Sequence, residues 1–191
     1  EFKNGIVVPR KDVESYIEED DCILIGPGMT RDNETETLTN TLLRKYPKKQ
    51  WIIDAGAIQM MDVSLIPKNA ILTPHHGEYA QLFSDQDISD AAKKYQCIVL
   101  LKGGRDIASN GKETRVIEGG NAGMTKGGTG DVLAGLIAAL ACKNDPFLAT
   151  IAGSFINKKA GDALYARVGP YFNASDLAKE IPVVMKEFFP T

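Results

Sequence analysis

The stretch NAGMTKGGTGDVLAGLIAALAC, Asn121 to Cys142, carries the strongest chemical signal in the chain. Gly123, Gly127, Gly128 and Gly130 precede a single carboxylate, Asp131, and an uncharged run from Val132 to Cys142 follows it. The run reads as a buried helix from Asp131 to Cys142. The amino end of a helix presents unpaired N–H groups and partial positive charge, a ready seat for phosphate. Glycines before it let the backbone close on an anion with no side chain in the way. The loop is not a Walker A loop, because no Gly-Lys-Ser/Thr follows at the required spacing, and no third glycine falls in register for a dinucleotide fingerprint. Asp131 has two readings. It is a plain N-cap, or it is a base that removes a proton from an attacking hydroxyl beside the phosphate. Three glycines in the four residues before it exceed what a cap needs, which favours an oxyanion cradle with Asp131 as the base.

Further reactive residue types fall at the ends of apolar runs. The runs CILIG (22–26), WIID (51–54), AILTP (70–74) and CIVLLKG (97–103) read as strands buried on both faces. They lead into GPGMT, DAGA, PHHGE and KGGRD. In open parallel sheets ligands bind outside the carboxyl ends of the strands, so a ligand site is expected there. Lys102 ends a buried strand, where a cation either meets an anion or snorkels at the sheet edge. His75 and His76 lack the i, i+4 spacing of a zinc helix, and no metal held by protein ligands is expected. His75 reads as a hydrogen-bonding contact to substrate. Asp54 reads equally as a cap or as a contact to substrate or to a magnesium-bound water. Gly26 and Gly28 flank Pro27 in a rigid turn free of side chains.

The elements that must position these residues alternate. Helical patterns run over about 34–46, 78–83 and 87–95, and DIASNGKETRVIEG reads as a hairpin turning at Asn110-Gly111. Helices over 131–142, about 146–167 and 174–189 follow. Strand–helix alternation implies an α/β fold with a mostly parallel sheet. With 191 residues, 43% hydrophobic and 25% charged, the chain is expected to form one domain, 1–191. The net charge of −3 is well mixed and gives no basic stripe for nucleic acid. No apolar run is long enough for a membrane-spanning helix. Cys22, Cys97 and Cys142 sit in apolar runs and read as buried thiols of a cytoplasmic protein. The opening EFKNGIVVPR has no initiating methionine, which leads to the expectation of N-terminal βα units that are not in this chain.

Taken in order, ILIGPGMTRD, WIIDAGAI, ILTPHHGEYAQLF, VLLKGGRDIASNG and GGTGDVLAGLIAAL resemble the ADP- or ATP-dependent NAD(P)H-hydrate dehydratases of the ribokinase-like superfamily. The resemblance runs from about Ile23 to the last helix. TPHHGE and GGTGD together make it specific. It implies a three-layer αβα sandwich, and dehydration of the (S)-epimer of hydrated NADH or NADPH. The route it implies is phosphorylation of the ring hydroxyl and elimination of phosphate. Carried over by position, Gly28, His75 and Asp131 contact the hydrate. Lys102, Gly103, Gly104, Arg105 and Asp106 line the nucleotide, with Gly127, Gly128, Thr129 and Gly130 at its phosphates. Asp131 is the catalytic base, and ATP or ADP with Mg2+ is the implied cofactor. Asp106 stands where many bacterial members have threonine, and with SNG it points to ATP. No match to the family's glycine- and alanine-rich substrate segment occurs in the chain.

Two rivals remain at this stage. A small-molecule kinase of the same superfamily, such as one for hydroxyethylthiazole, shares GGTGD but has less reason to carry TPHHGE. A non-catalytic nucleotide-binding protein would show ligand-dependent stabilisation without turnover. The sequence leaves a homo-oligomer open.

Overall fold

The apolar runs pair in the order in which they occur along the chain. The computed structural model describes residues 5–188. Its sheet has six strands in the order β1 (Cys22–Ile25), β2 (Gln50–Ile53), β3 (Ile71–Leu72), β4 (Ile98–Leu101), β5 (Asp106–Ser109) and β6 (Thr114–Ile117). β1 to β4 are parallel, and the hairpin β5–β6 joins β4 antiparallel. The sheet is mostly parallel, as expected. β3 is shorter than its apolar run, although Thr73 N still donates to Ile53 O at 3.1 Å and His75 bridges to Lys102.

Side-chain alternation along the strands makes the layers. Trp51, Ile53, Leu72, Val99 and Leu101 face one way, against helices α1 (Val13–Glu19), α2 (Asn33–Lys45), α3 (Ala55–Met60), α4 (His76–Phe83) and α5 (Ile88–Tyr95). Ile52, Ile71, Ile98 and Leu100 face the other way, against α6 (Thr129–Ala141) and α7 (Pro146–Val168). α8 (Ala174–Phe188) packs outside α7 through Leu177 and Val184. The result is the three-layer αβα sandwich. With β1 to β4 stepping in one direction, right-handed crossovers require their helices to share one face, and they do.

Several boundaries differ from the sequence reading. α1 and α3 were not expected. α1 is short and rich in acids, and α3 starts straight after Asp54, leaving no room for a loop signal. α6 begins two residues early, at Thr129, with Gly128 (φ +88°) in the cap position. Asp131 is therefore inside the first turn and is not the N-cap. The expected helix end at Phe189 and the opening Glu1–Asn4 lie outside the described residues. Cys97 is buried, but Cys22 and Cys142 are only partly so, because β1 is an edge strand and Cys142 lies at the exposed end of α6. Burial, and then the neighbouring Cys142 thiol, push the Cys22 thiol up to about 12. Among the described residues no helix is long and apolar enough to cross a membrane.

Two local devices shape the carboxyl edge of the sheet. Gly26 O accepts from Met29 N at 3.0 Å, closing a turn with Pro27 and Gly28 (φ +71°) at its centre, the positions a type II turn reserves for proline and glycine. Gly26 (φ +119°) has no alternative residue, since a Cβ there would stand 1.7 Å from Asp54 O. The second device is a buried cation. Lys158 of α7 is 5% exposed. Its Nζ donates to the carbonyls of Gly103 (3.3 Å), Gly104 (3.4 Å) and Gly119 (3.2 Å) and pairs with Asp106 Oδ1 at 3.3 Å. Asp106 also accepts from Gly103 N at 2.9 Å and from Ser154 Oγ at 2.8 Å. One ammonium thus ties the loop after β4 to the loop after β6.

Two outcomes are expected from these devices. Gly26→Ala should lose about 3 kcal/mol of stability or more, through the clash with Asp54. Gly28→Ala, with open space around it, should cost only the left-handed penalty of about 1–2 kcal/mol; urea titration of both variants compares them. Lys158→Met leaves the Asp106 carboxylate buried without its cation and should cost about 3–5 kcal/mol. Adding Asp106→Asn to it should recover part of that loss, and a double variant no more stable than Lys158→Met contradicts the ion-pair account.

Candidate active site

The carboxyl ends of β1 to β4 meet the amino end of α6 at one edge of the sheet. Between them, the loop after β6 and α7 lies a cavity of about 620 Å³. His75, Lys102, Gly103, Gly104, Asp106, Thr129 and Gly130, all singled out from the sequence, line it. Arg105, Gly127, Gly128 and Asp131 do not; Arg105, Gly127 and Asp131 are exposed near it in sequence. Gly28 lies two strands from β3, in the turn that follows β1, and also does not line the cavity.

Lys102 is the electrostatic centre. Its Nζ bonds Asp54 Oδ1 at 2.7 Å, and Asp54 is 1% exposed. Thr73 Oγ1 donates to the same oxygen at 2.9 Å. Three adjacent strand ends, those of β2, β3 and β4, therefore supply one fixed cation. A Cβ built on Gly130 would stand 3.5 Å from Lys102 Nζ, so the ammonium faces the first turn of α6. A cation at the positive end of a helix dipole is unfavourable. Asp54 offsets it from one side, and an anion in the cavity would satisfy both the ammonium and the free N–H groups.

The glycine loop is braced by hydrogen bonds to its neighbours. Thr129 Oγ1 donates to Met124 O (2.7 Å) and Lys126 O (2.8 Å). Lys126 Nζ donates to Phe172 O at 2.6 Å and to Pro170 O, in the loop before α8. On the far side, Asp162 of α7 accepts from Gly120 N (3.2 Å) and Asn121 Nδ2 (3.1 Å). Lys126 is thus committed to carbonyls, which leaves Lys102 as the cation directed at the α6 terminus.

His75 has a structural task besides any contact to ligand. It caps α4 by accepting from Glu78 N at 3.1 Å through Nδ1, and Glu78 Oε2 accepts from His75 N at 2.9 Å. An accepting Nδ1 places the proton on Nε2, which stands 3.5 Å from Glu78 Oε1. The carboxylate of Asp131, by contrast, accepts no hydrogen bond among the described residues and stands exposed in the first turn of α6.

Sequence reading missed Thr73, Ser154, Asn157 and Lys158. Thr73 sits in the apolar run AILTP, and the other three lie within the long pattern of α7; only the packed structure shows that they meet the site. Asp54, which had two roles open, takes a third as the buried partner of Lys102. It makes no side-chain cap to α3.

The family model described as NAD(P)H-hydrate dehydratase matches residues 5–183. The bifunctional NAD(P)H-hydrate repair enzyme of Archaeoglobus fulgidus is 38% identical over 174 residues, which cover 90% of this chain and 36% of that protein. The ADP-dependent (S)-NAD(P)H-hydrate dehydratase of Nitrosopumilus maritimus is 39% identical over 182 residues, covering 88% of this chain and 63% of that protein. The chain thus spans about a third of the first relative and under two thirds of the second. A ribokinase-like superfamily protein from Enterococcus faecalis superposes with a TM-score of 0.82 at 28% identity, over 96% of this chain and 70% of that one. With its ribokinase-like αβα fold and the match over residues 5–183, the chain belongs to the NAD(P)H-hydrate dehydratase family.

Proposed function

We propose that the chain carries the nucleotide-dependent dehydration of hydrated NADH or NADPH, the (S)-epimer, back to NAD(P)H. The observation that carries this reading is the Lys102 ammonium, fixed by buried Asp54 at 2.7 Å and facing the amino end of α6. That arrangement suits a phosphoryl group in transit, since positioning and charge neutralisation are nearly all that phosphoryl transfer asks of a protein. Asp131 takes the proton of the ring hydroxyl as its oxygen bonds to the terminal phosphorus and the bond to the leaving phosphate breaks. The C–O bond of the new ester then breaks and releases inorganic phosphate, the adjacent ring carbon gives up a proton to water or to the departing phosphate, and the ring double bond re-forms. Lys102 and the N–H group of Gly130 hold the phosphoryl oxygens, and His75, which lines the cavity, contacts the hydrate.

ADP is the favoured donor, in line with the ADP-dependent relative. The expectation of ATP rested on Asp106 together with SNG; the Asp106 carboxylate is bonded to Gly103 N, Ser154 Oγ and Lys158 Nζ. Among the described residues no three His, Cys, Asp or Glu side chains form a metal cluster. Mg2+ would arrive on the nucleotide phosphates, the usual habit of this ion, and would supply charge neutralisation on their oxygens.

Recovery of 340 nm absorbance from hydrated cofactor tests the reading, with mass spectrometry to show that no phosphorylated product accumulates. Asp131→Asn should cut turnover by about 10²–10⁴-fold and leave nucleotide affinity intact or slightly improved, because a like charge beside the phosphates is gone. Near-normal turnover in that variant would remove Asp131 from the mechanism. Initial rates with ADP and ATP at equal concentration identify the donor, and a clear preference for ATP would overturn the choice made here.

A further inference from the structure

Two half-buried thiols lie on opposite sides of the contact between β1 and α6. Side chains alternate along β1 between the two layers. Ile23 and Ile25 face the layer that holds α1 and α2, whereas Cys22 and Leu24 pack against the cluster built by α6 and α7. Cys142 follows the last residue of α6, Ala141, which belongs to that same cluster. The residues beside the thiols also meet: Lys143 Nζ donates to Asp21 Oδ2 at 2.8 Å. Residues 21 and 22 therefore face residues 142 and 143, and the two thiols are hydrogen-bonding neighbours. Apart from that contact, Cys142 Sγ donates only to Ala138 O of its own helix, at 3.3 Å. Cys97 is different, since it is 2% exposed and lies within the opposite layer.

We propose that Cys22 and Cys142 form a redox modification site, in which a low-molecular-weight disulfide converts them to an intramolecular disulfide that staples α6 to the edge of the sheet. The Cys142 thiolate attacks one sulfur of the small disulfide, which gives a mixed disulfide and releases one small thiol. Cys22 then loses its proton and attacks the Cys142 sulfur, so the protein S–S bond forms and the second small thiol leaves. The protein gives up two electrons and two protons, and the small disulfide is reduced to two thiols. Burial, with the Cys142 thiol and the Asp21 carboxylate after it, holds the Cys22 thiol up at about 12. Cys22 is therefore protonated at neutral pH, which suits it to the closing step more than to the opening one. The bond lies about 18 Å along α6 from Gly130, so it fastens the helix without entering the cavity. It closes a loop of about 120 residues, a length at which a cross-link strongly restricts the unfolded chain.

The native protein is incubated with oxidised glutathione at about pH 8.5, where thiolate is more abundant. Remaining thiols are then alkylated in denaturant, and the peptides are mapped by mass spectrometry. The peptides of Cys22 and Cys142 should be joined with the loss of two hydrogens, and Cys97 should be alkylated. The melting temperature should rise by about 10 °C over that of the reduced protein, and dithiothreitol should reverse both changes. In Cys22→Ser and in Cys142→Ser the redox-dependent shift should vanish. Recovery of Cys22 as a free thiol, with or without glutathione left on Cys142, overturns the proposal. A disulfide that forms without raising the melting temperature overturns it too. Neither readout depends on a nucleotide, so the outcome is independent of the function proposed above.

Discussion

A positive charge is fixed where a helix already presents one. Lys102 Nζ faces the first turn of α6, and only the contact to Asp54 at 2.7 Å makes its position tolerable in the empty protein. Everything that builds this contact is part of the sheet. Asp54 closes β2, Thr73 follows β3, and Lys102 follows β4, so the parallel register sets the distance between the partners. Gly26, pressed against Asp54 O, carries the constraint one strand further. The site is therefore a property of strand ends in register, with α6 brought up to them from the opposite layer.

The second cation works differently. Lys158 meets four oxygens of the protein and has none left for a ligand. Its role is to hold apart and in place the two loops that wall the cavity, using glycine carbonyls that would otherwise point at each other. Lys102 and Lys158 are both lysines near one cavity, yet one is left partly uncompensated and the other fully compensated. Their difference separates a cation that still faces the cavity from one spent wholly on the scaffold.

The sequence made the chemistry legible where it was local. GGTGD, TPHHGE and KGGRD each hold their meaning within a few residues, and seven of the residues they and Lys102 pointed to do line one cavity. β2 to β4 were legible because burial on both faces leaves a continuous apolar run. The run at 22–26 also forms a strand, but β1 is at the sheet edge and is half-buried up to Ile25, contrary to the expectation of burial on both faces. Asp106 was read as a nucleotide contact and lines the cavity; what the sequence did not show is its bonding to Ser154 and Lys158, about fifty residues away in the chain. Asn157 and Lys158 lie in α7, whose apolar pattern gives no face a clear advantage because the helix is covered by the sheet, α6 and α8 together. Polar residues in such a helix look like ordinary variation until the neighbours are known. Asp131 was half legible: its carboxylate was noticed, but the cap position belongs to Gly128, a distinction of three residues that helix-end signals do not resolve.

The order of the strands bears on how the site comes into being. β1 to β4 pair with their neighbours in sequence, and the hairpin adds itself to β4. Every pairing is between consecutive strands, so the sheet and its α2–α5 layer assemble through short loop closures, each on the surface left by the one before. α6 and α7 cover the other face and come later in the chain. Until they dock, Lys102 has no helix end opposite it, and Gly103 and Gly119 have no ammonium to join them. A molecule that bridges Lys102 and α6 thus binds the docked arrangement alone, and mass action makes it a stabiliser of that arrangement as much as a reactant.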